Sequence, residues 1–253
     1  MKSKVLIILL PALSIIIGLL LIFEIVPLLF HKSPFPTLHS ILFELDNHNK
    51  RLIISGLGAT FIRFVSSTIL GYFIGIILSI PTIISHKIEL ILSPWYNILR
   101  ITPAIVWIPI LLSFNSISSD SIPIIISIIF SSLYVVLSIT ESIKNIPEEE
   151  KISMKAMKAS NEWKLLNCYI PRIIVSSVSG IKIGGSIALI LVVVGEALLY
   201  LKPSLGFLIT SYQTSMEKNG FWLTFIVLAL LASISFFLLN SLDVLIGVKN
   251  RKK

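Results

Sequence analysis

The sequence has few charged residues and a single cysteine. Asp, Glu, Lys and Arg make up 13% of its 253 residues, about half of their share in an ordinary soluble domain. Cys168 has no second thiol with which to form an intrachain disulfide or a metal-binding pair. The sequence also lacks an HExxH helix, a Gly-rich phosphate loop and a CxxC pair, and its four histidines show no ligand spacing. We therefore expect no enzyme activity, no metal site and no cofactor.

Long hydrophobic runs take the place of the missing charge. Hydrophobic residues make up 55% of the chain, and a run of about 20 apolar residues is long enough to cross a bilayer as a helix. The six predicted spans are residues 5–30, 55–84, 88–114, 121–143, 173–201 and 221–248. The third is interrupted by Pro94, Pro103 and Pro109, and the first is too long for the apolar core of a signal peptide. The sequence therefore predicts an all-α integral membrane protein with six transmembrane helices in one domain, residues 1–253.

The positive charges are distributed unevenly between the two sides of the predicted bundle. With both termini in the cytosol, thirteen Lys and Arg residues lie inside and five lie outside, as the positive-inside rule expects. The basic tail, residues 249–253, then anchors the chain at anionic lipids. Membrane topology therefore explains the net charge of +8, and we expect no binding to nucleic acid.

Few ionisable residues lie inside the predicted spans, and two places are candidates for function. An unpaired ionisable group at mid-bilayer costs at least about 2.5–3.5 kcal/mol. Glu196 follows a long apolar run, so it either lines a pathway or pairs with an Arg or Lys on another helix. Arg100 precedes Pro103, which frees backbone carbonyl groups one turn earlier, and Trp107 follows. This segment either lines a pathway or is a simple proline kink.

Two further patterns concern packing. Residues 38–45 place four aliphatic side chains on one helical face, which predicts a short amphipathic helix on the outer membrane surface. The spacing of Gly71 and Gly75, and of Gly180 and Gly184, predicts close approach between helices.

The polar segment between the fourth and fifth spans, residues 147–171, is the most distinctive loop. We predict one helix from Glu148 to about Ser160 and a second from Glu162 to Tyr169 that stops before Pro171. The apolar residues that we expect to be exposed among the lysines are Met154, Met157, Trp163, Leu165 and Leu166. Such a mixture suits a cleft in a partner protein, and it equally suits a helix lying on the bilayer.

This segment resembles the EAA loop of ABC-transporter permeases of the binding-protein-dependent importer type. Lys158-Ala159-Ser160 and Ile170-Pro171 are similar to the family's Gly-Ala-Ser run and its aliphatic-Pro pair. Further along the chain, Gly180-Ile181-Lys182 resembles the family's Gly-x-Arg, and Glu196 with Ser204-Leu205-Gly206-Phe207 resembles its Glu followed by Gly-aliphatic-Gly-aromatic. Before the loop, the family's Arg-x-x-Pro-x-x-x-Trp-x-Pro pattern is similar to Arg100, Pro103, Trp107 and Pro109. Residues 34–45 resemble the family's extracytosolic pre-helix. The resemblance covers most of the chain. It is closest to the branch that imports nitrate, sulfonates, taurine and thiamine- or riboflavin-related compounds.

The chain departs from the family pattern at three loop positions. Lys158 stands where the family has glycine, Ile152 stands where it has its leading Glu, and Val175 lies near the expected second Pro. The glycine lets the chain turn sharply between two short helices, so Lys158 must adopt an unusual backbone conformation or the turn must shift.

The resemblance implies a permease that forms a pore in the bacterial inner membrane, as a homodimer in this branch. Cytosolic ATP-binding-cassette ATPases would receive the loop, and an extracytosolic substrate-binding protein would deliver a small solute. The implied ATPase-coupling residues are Met154, Lys155, Ala156, Met157, Lys158, Ala159, Ser160 and Trp163, and the candidate pathway residues are Arg100, Pro103, Trp107 and Glu196. An ion-coupled secondary transporter that uses Glu196 is the alternative, although that class often has inverted repeats and we find none in the sequence.

Overall fold

The computed structural model describes residue 18, residues 36–114 and residues 116–245. This part of the chain is mostly helical and contains no β-strand. The helices, numbered from the first one described here, are α1 (Asn47–Ile84), α2 (His86–Ile101), α3 (Trp107–Leu112), α4 (Ile122–Lys144), α5 (Glu148–Ala156), α6 (Asn161–Lys164), α7 (Ile170–Leu198), α8 (Leu205–Thr214) and α9 (Lys218–Leu245). The all-α prediction is confirmed, whereas the predicted first span, residues 5–30, lies outside the described residues apart from Gly18.

Four helices of the described part are long and apolar enough to cross a membrane, and a bent pair supplies a fifth if it counts as one span. The four are α1, α4 with the turn before it, α6 joined to α7 (Glu162–Leu198), and α9. The sequence predicts these apolar runs to within a few residues, except that α1 begins at Asn47 rather than at residue 55 and the helix that leads into α7 begins at Glu162 rather than at residue 173. The described residues thus contain four or five of the six predicted spans.

The predicted third span, residues 88–114, is a bent pair of helices rather than one continuous helix, in keeping with the prolines that interrupt it. α2 ends at Ile101, a 3-10 turn covers Ala104–Val106, and the axis of the chain changes direction by 90° between α2 and α3. The cause is Pro103, because a residue before proline is disfavoured in the helical region. Thr102 is accordingly extended, with ψ of 126°.

Small residues bring α1, α4 and α7 into close contact. A Cβ atom added to Gly75 of α1 would lie 2.6 Å from Val135 Cβ of α4, and one added to Gly180 of α7 would lie 2.7 Å from Val135 Cα. A Cβ atom added to Gly184 would lie 2.7 Å from the carbonyl oxygen of Ser131. The glycines therefore serve close helix packing within this chain, as their spacing predicts.

The predicted helix over residues 38–45 is present as one short helix that widens to a π-helix over Ser40–Glu44. Ile41 and Leu45 are buried, and Leu45 joins a core cluster that includes Tyr212. Two residues of the predicted apolar face, Ile41 and Leu45, are therefore covered by the protein itself. Its position on the outer membrane surface stays a prediction.

Candidate functional site

The segment between α4 and α7, residues 147–169, forms two short helices with a turn between them, and we call it the bracket. α5 ends at Ala156, so the predicted extension of this helix to Ser160 is wrong. The predicted stop before Pro171 is also wrong, because α6 continues through a π-helical turn, Leu165–Tyr169, into α7. In an α-helix the ring of Pro171 would clash with the carbonyl group one turn earlier, and the wider π-helical turn makes room for it.

Lys158 lies at the corner of the bracket. Its φ of 49° is in the left-handed region, which costs a residue with a side chain about 1–2 kcal/mol. The N–H groups of Lys158 and Ala159 donate to the carbonyl oxygens of Lys155 and Met154, both at 3.0 Å, and this pattern closes the end of α5. The lysine therefore adopts the unusual conformation that the sequence predicts for a residue in place of glycine.

A buried cluster and an ion pair anchor the bracket to the membrane helices. Met154, Ile146 and Cys168 pack together at 6%, 6% and 4% exposure, so the prediction that Met154 is an exposed anchor is wrong. The Glu150 carboxylate forms an ion pair with Arg172 of α7 and accepts a hydrogen bond from Cys168 Sγ at 3.3 Å. These contacts turn one face of α5 toward α7, which is why Met154 is inaccessible.

The outward surface of the bracket is both apolar and basic. Met157 and Leu166 are 61% and 62% exposed, and Trp163 is 42% exposed. Of the other predicted coupling residues, those exposed are Lys155, Ala156, Lys158 and Ser160, while Ala159 is half-buried. Lys151 Nζ donates to the Glu148 carboxylate at 2.7 Å, and this hydrogen bond and the lysine charge lower the pKa of Glu148. The bracket thus presents methionine, tryptophan and lysine side chains on a fixed backbone.

The four candidate pathway residues do not share one environment. Arg100 and Pro103 are exposed at the bend between α2 and α3, where the Arg100 guanidinium donates to Asn97 Oδ1 at 3.4 Å. Trp107 packs against the core cluster beside α4, and its buried Nε1 has no hydrogen-bond partner in the described part of the chain. Glu196 is fully buried and bonds to α1. Of the four candidate pathway residues, Arg100 and Pro103 are therefore the two that are exposed at the bend.

Glu196 is the centre of a buried polar network. Its carboxylate accepts hydrogen bonds from Thr60 Oγ1 at 2.8 Å, Arg63 Nη1 at 2.9 Å and the Gly206 backbone N–H at 3.3 Å. Arg63 also donates to the Pro203 carbonyl oxygen at 3.2 Å. The network joins α1, α7 and the start of α8, which favours the interpretation of Glu196 as a structural partner. Its role in a pathway stays a prediction.

The sequence did not identify Thr60 or Arg63 as partners of Glu196. The available signal was the cost of an unpaired charge in the membrane, because Arg63 and Glu196 both lie inside apolar runs. That cost predicts that the two residues need partners, but it does not show that they are partners of each other.

Residues 67–247 match the sequence profile of a family described as "Binding-protein-dependent transport system inner membrane component". The chain belongs to this family. The match runs from α1 to α9 and includes the bend, the bracket and Glu196. As a member, the chain is a multi-pass inner membrane protein and the permease subunit of a binding-protein-dependent ABC importer.

Two of the solved structures that resemble this permease are crystal forms of the MetNI methionine ABC transporter in inward-facing conformations. Each is 16% identical, covers 80% of this chain and 99% of its own, and superposes with a TM-score of 0.67 or 0.65. At this identity the likeness shows the fold alone. No curated protein sequence matches the permease. The predicted family is thereby confirmed, whereas the nitrate, sulfonate and taurine branch is not.

Proposed function

We propose that this permease forms the transmembrane pathway of an ATP-driven importer as a homodimer, and that its bracket docks into a surface cleft of a cytosolic ATP-binding-cassette ATPase. Both termini and the bracket face the cytosol. An extracytosolic substrate-binding protein delivers a small solute such as a sulfonate, nitrate or a vitamin precursor. The observation that carries the proposal is the exposed turn of the bracket, which holds Met157 at its tip on an anchored backbone.

Docking moves the membrane helices only if the bracket is stiff. Buried Met154 and the pair of Glu150 with Arg172 connect α5 to α7 without a flexible linker. The helix that runs from α6 through the π-helical turn into α7 gives a second rigid connection. A displacement of the bracket by closure of the ATPases therefore reaches α7, which packs against α1, α4, α8 and α9.

The two open interpretations of the apolar residues suit different parts of the bracket. Trp163, Leu166 and Ile170 follow one helical face that continues along α7 as exposed Ile174, so this row suits contact with lipid. Met157 lies outside that row, midway along the chain between the end of α4 and the start of α7. An exposed methionine among lysines at such a turn suits insertion into a protein cleft.

The proposed substrate class is supported by the family resemblance and less by the charges inside the membrane. Arg63 bonds to Glu196 at 2.9 Å, so it does not offer a free cation to an anionic solute. Arg100 is exposed at the bend, where a solute has access to its guanidinium. We therefore assign Arg100 and Pro103 to the surface of the pathway, and we assign Trp107 and Glu196 to the protein interior that supports this surface.

Met157→Asp should release the ATPase from the permease. The aspartate places a charge where the cleft receives an apolar side chain, and a loss of about 2 kcal/mol at such a site weakens binding roughly thirtyfold. Co-purification of the ATPase with the tagged permease measures the loss. Met216→Asp is the matched control, because Met216 is 84% exposed and lies at the opposite end of the bundle, between α8 and α9. Equal ATPase retention in the two variants would show that the tip is not the docking site.

Lys158→Gly should preserve or improve the coupling of ATP hydrolysis to transport. Glycine adopts a φ of 49° without steric strain, so we expect a slightly higher Tm and unchanged ATPase binding. Met216→Gly is the control, because it relieves a similar strain, at φ of 57°, outside the bracket. A large loss of ATPase activity or transport in Lys158→Gly alone would assign a role to the lysine side chain itself.

A further inference from the structure

The helix before the bend, α2, is unusual because it buries a carboxylate and exposes large apolar side chains. Glu89 is the one buried residue of this helix, at 5% exposure. The large apolar side chains that α2 turns outward, at 56% to 77% exposure, are Leu90, Ile91, Trp95, Ile98 and Ile101. Removing a carboxylate from water is costly unless it is paired. The position of Glu89 therefore needs a specific cause.

Two basic side chains hold Glu89 at the end of the bundle that carries the bracket. Its carboxylate forms an ion pair with Lys144, the last residue of α4, and a hydrogen bond with His86 Nδ1 at 2.9 Å. These three residues line a cavity of about 380 Å³ that Lys151 of α5 also lines. The ion pair thus connects α2 to the residue at which α4 ends and the chain enters the bracket.

The ion pair at the opposite end of the bent unit, α2 with α3, is weaker. Asp120 follows α3, and its carboxylate lies 4.0 Å from Arg63 Nη2 of α1. The Asp120 side chain is 69% exposed, whereas that of Glu89 is 7% exposed. An exposed pair at such a distance contributes little, but the buried Glu89 carboxylate resists separation from Lys144 because it would be left as an uncompensated charge. The stronger of the two ion pairs of the bent unit is therefore at the bracket end.

We propose that Glu89 is a positioning residue that transmits the movement of the bracket to the bent unit. This inference rests on the proposed function, since it takes the bracket as the place where the ATPase acts. When the bracket moves, the end of α4 moves with it, and the pair of Lys144 with Glu89 draws α2 along. Pro103 permits the angle between α2 and α3 to change, because it interrupts the helical hydrogen bonds at the bend. The exposed guanidinium of Arg100 is thereby displaced when ATP is bound and hydrolysed.

The test uses the purified complex of the permease with its co-purifying ATPase. A Cys168→Ser background removes the one native thiol, and Ile105→Cys places a new one in the bend, where Ile105 is 44% exposed. Maleimide labelling is measured without nucleotide and with ATP and vanadate. We expect the labelling rate to change about fivefold or more in this parent complex. In Lys144→Gln the rate should become insensitive to nucleotide, while ATP hydrolysis continues because the docking surface is untouched.

Two further variants separate transmission from folding. Lys144 is 50% exposed, so glutamine fits at this position, and an unchanged Tm confirms that the variant is folded. Glu89→Gln keeps the shape of the buried side chain and should give the same loss of nucleotide response. Glu141→Gln is the matched control, because Glu141 is exposed near the same end of α4, and its response should equal that of the parent.

The outcomes distinguish this inference from the proposed function. A nucleotide response that persists in Lys144→Gln and Glu89→Gln overturns the transmitting role of Glu89, even if the ATPase stays bound. An equal loss of the nucleotide response in Glu141→Gln also overturns the transmitting role of Glu89, because the loss of any nearby charge would then abolish the response. A parent permease that retains no ATPase overturns the proposed function instead, and co-purification reports that result before any labelling is done.

Discussion

Arg63→Ala should lower the free energy of unfolding of this permease by about 3–5 kcal/mol. The substitution leaves the Glu196 carboxylate fully buried without its cation, and the dipoles of Thr60 and Gly206 do not neutralise a full charge. It also removes the hydrogen bond to the Pro203 carbonyl oxygen, so the connection between α7 and α8 loses a contact with α1. Unfolding of the detergent-solubilised protein, followed by circular dichroism, measures the change.

Two variants separate the loss of the ion pair from the loss of an arginine side chain. Arg51→Ala removes an exposed arginine from the same helix and should change the free energy of unfolding by no more than about 0.5 kcal/mol. The double variant Arg63→Met with Glu196→Met removes both charges. It should recover much of the lost stability, because apolar side chains of similar size often replace a buried ion pair without loss. Equal effects of Arg63→Ala and Arg51→Ala would show that the pair does not hold these helices together.

The same network bears on the alternative of an ion-coupled secondary transporter. A carboxylate that binds a driving ion must exchange its partners for that ion during each cycle. The Glu196 carboxylate is fully buried and already accepts hydrogen bonds from a hydroxyl, a guanidinium and a backbone N–H. Exchange would leave Arg63 without its buried partner, at the cost just described. The network therefore suits a fixed joint between α1, α7 and α8 better than an ion site.

The membrane helices are the part of the fold that the sequence predicts well, because apolar length is a property of each segment by itself. The fourth span, predicted over residues 121–143, is the helix Ile122–Lys144. The bend was not predictable to the same degree. Pro103 implies a break wherever it stands, but the 90° angle depends on the packing of Ile108 against Ile122 of α4. That contact joins residues whose proximity no local pattern shows.

The bracket illustrates the same limit at the level of single residues. Met154 and Met157 lie one helical turn apart and look equivalent in the sequence, so both are predicted to be exposed. The structure separates them because α5 ends at Ala156, and Met154 packs on Cys168 while Met157 leaves the helix. The pair of Glu150 with Arg172 fixes this arrangement across the whole bracket. The spacing of apolar residues within α5 cannot show that Glu150 pairs with Arg172 of α7.

Gly184→Leu should disrupt the packing of α7 against α4. An added Cβ atom would lie 2.7 Å from the Ser131 carbonyl oxygen and 3.2 Å from Ser131 Cα. These are backbone atoms, which cannot move aside by rotation of a side chain, so the two helices must separate at a cost of about 3 kcal/mol or more. We expect a lower Tm together with weaker ATPase binding, because the bracket begins and ends on these two helices. Circular dichroism and co-purification measure the two effects.

Gly58→Leu is the matched control for this substitution, and its expected effect has the opposite sign. Gly58 is exposed on α1, and none of the described atoms outside its own helix neighbourhood lies within 4 Å of an added Cβ. Leucine also has a higher helix propensity than glycine, by up to about 1 kcal/mol, so stability should be equal or higher. If Gly184→Leu were tolerated as well as Gly58→Leu, α4 and α7 would not be in close contact. The bracket would then lack the rigid support through which it is proposed to move the bundle.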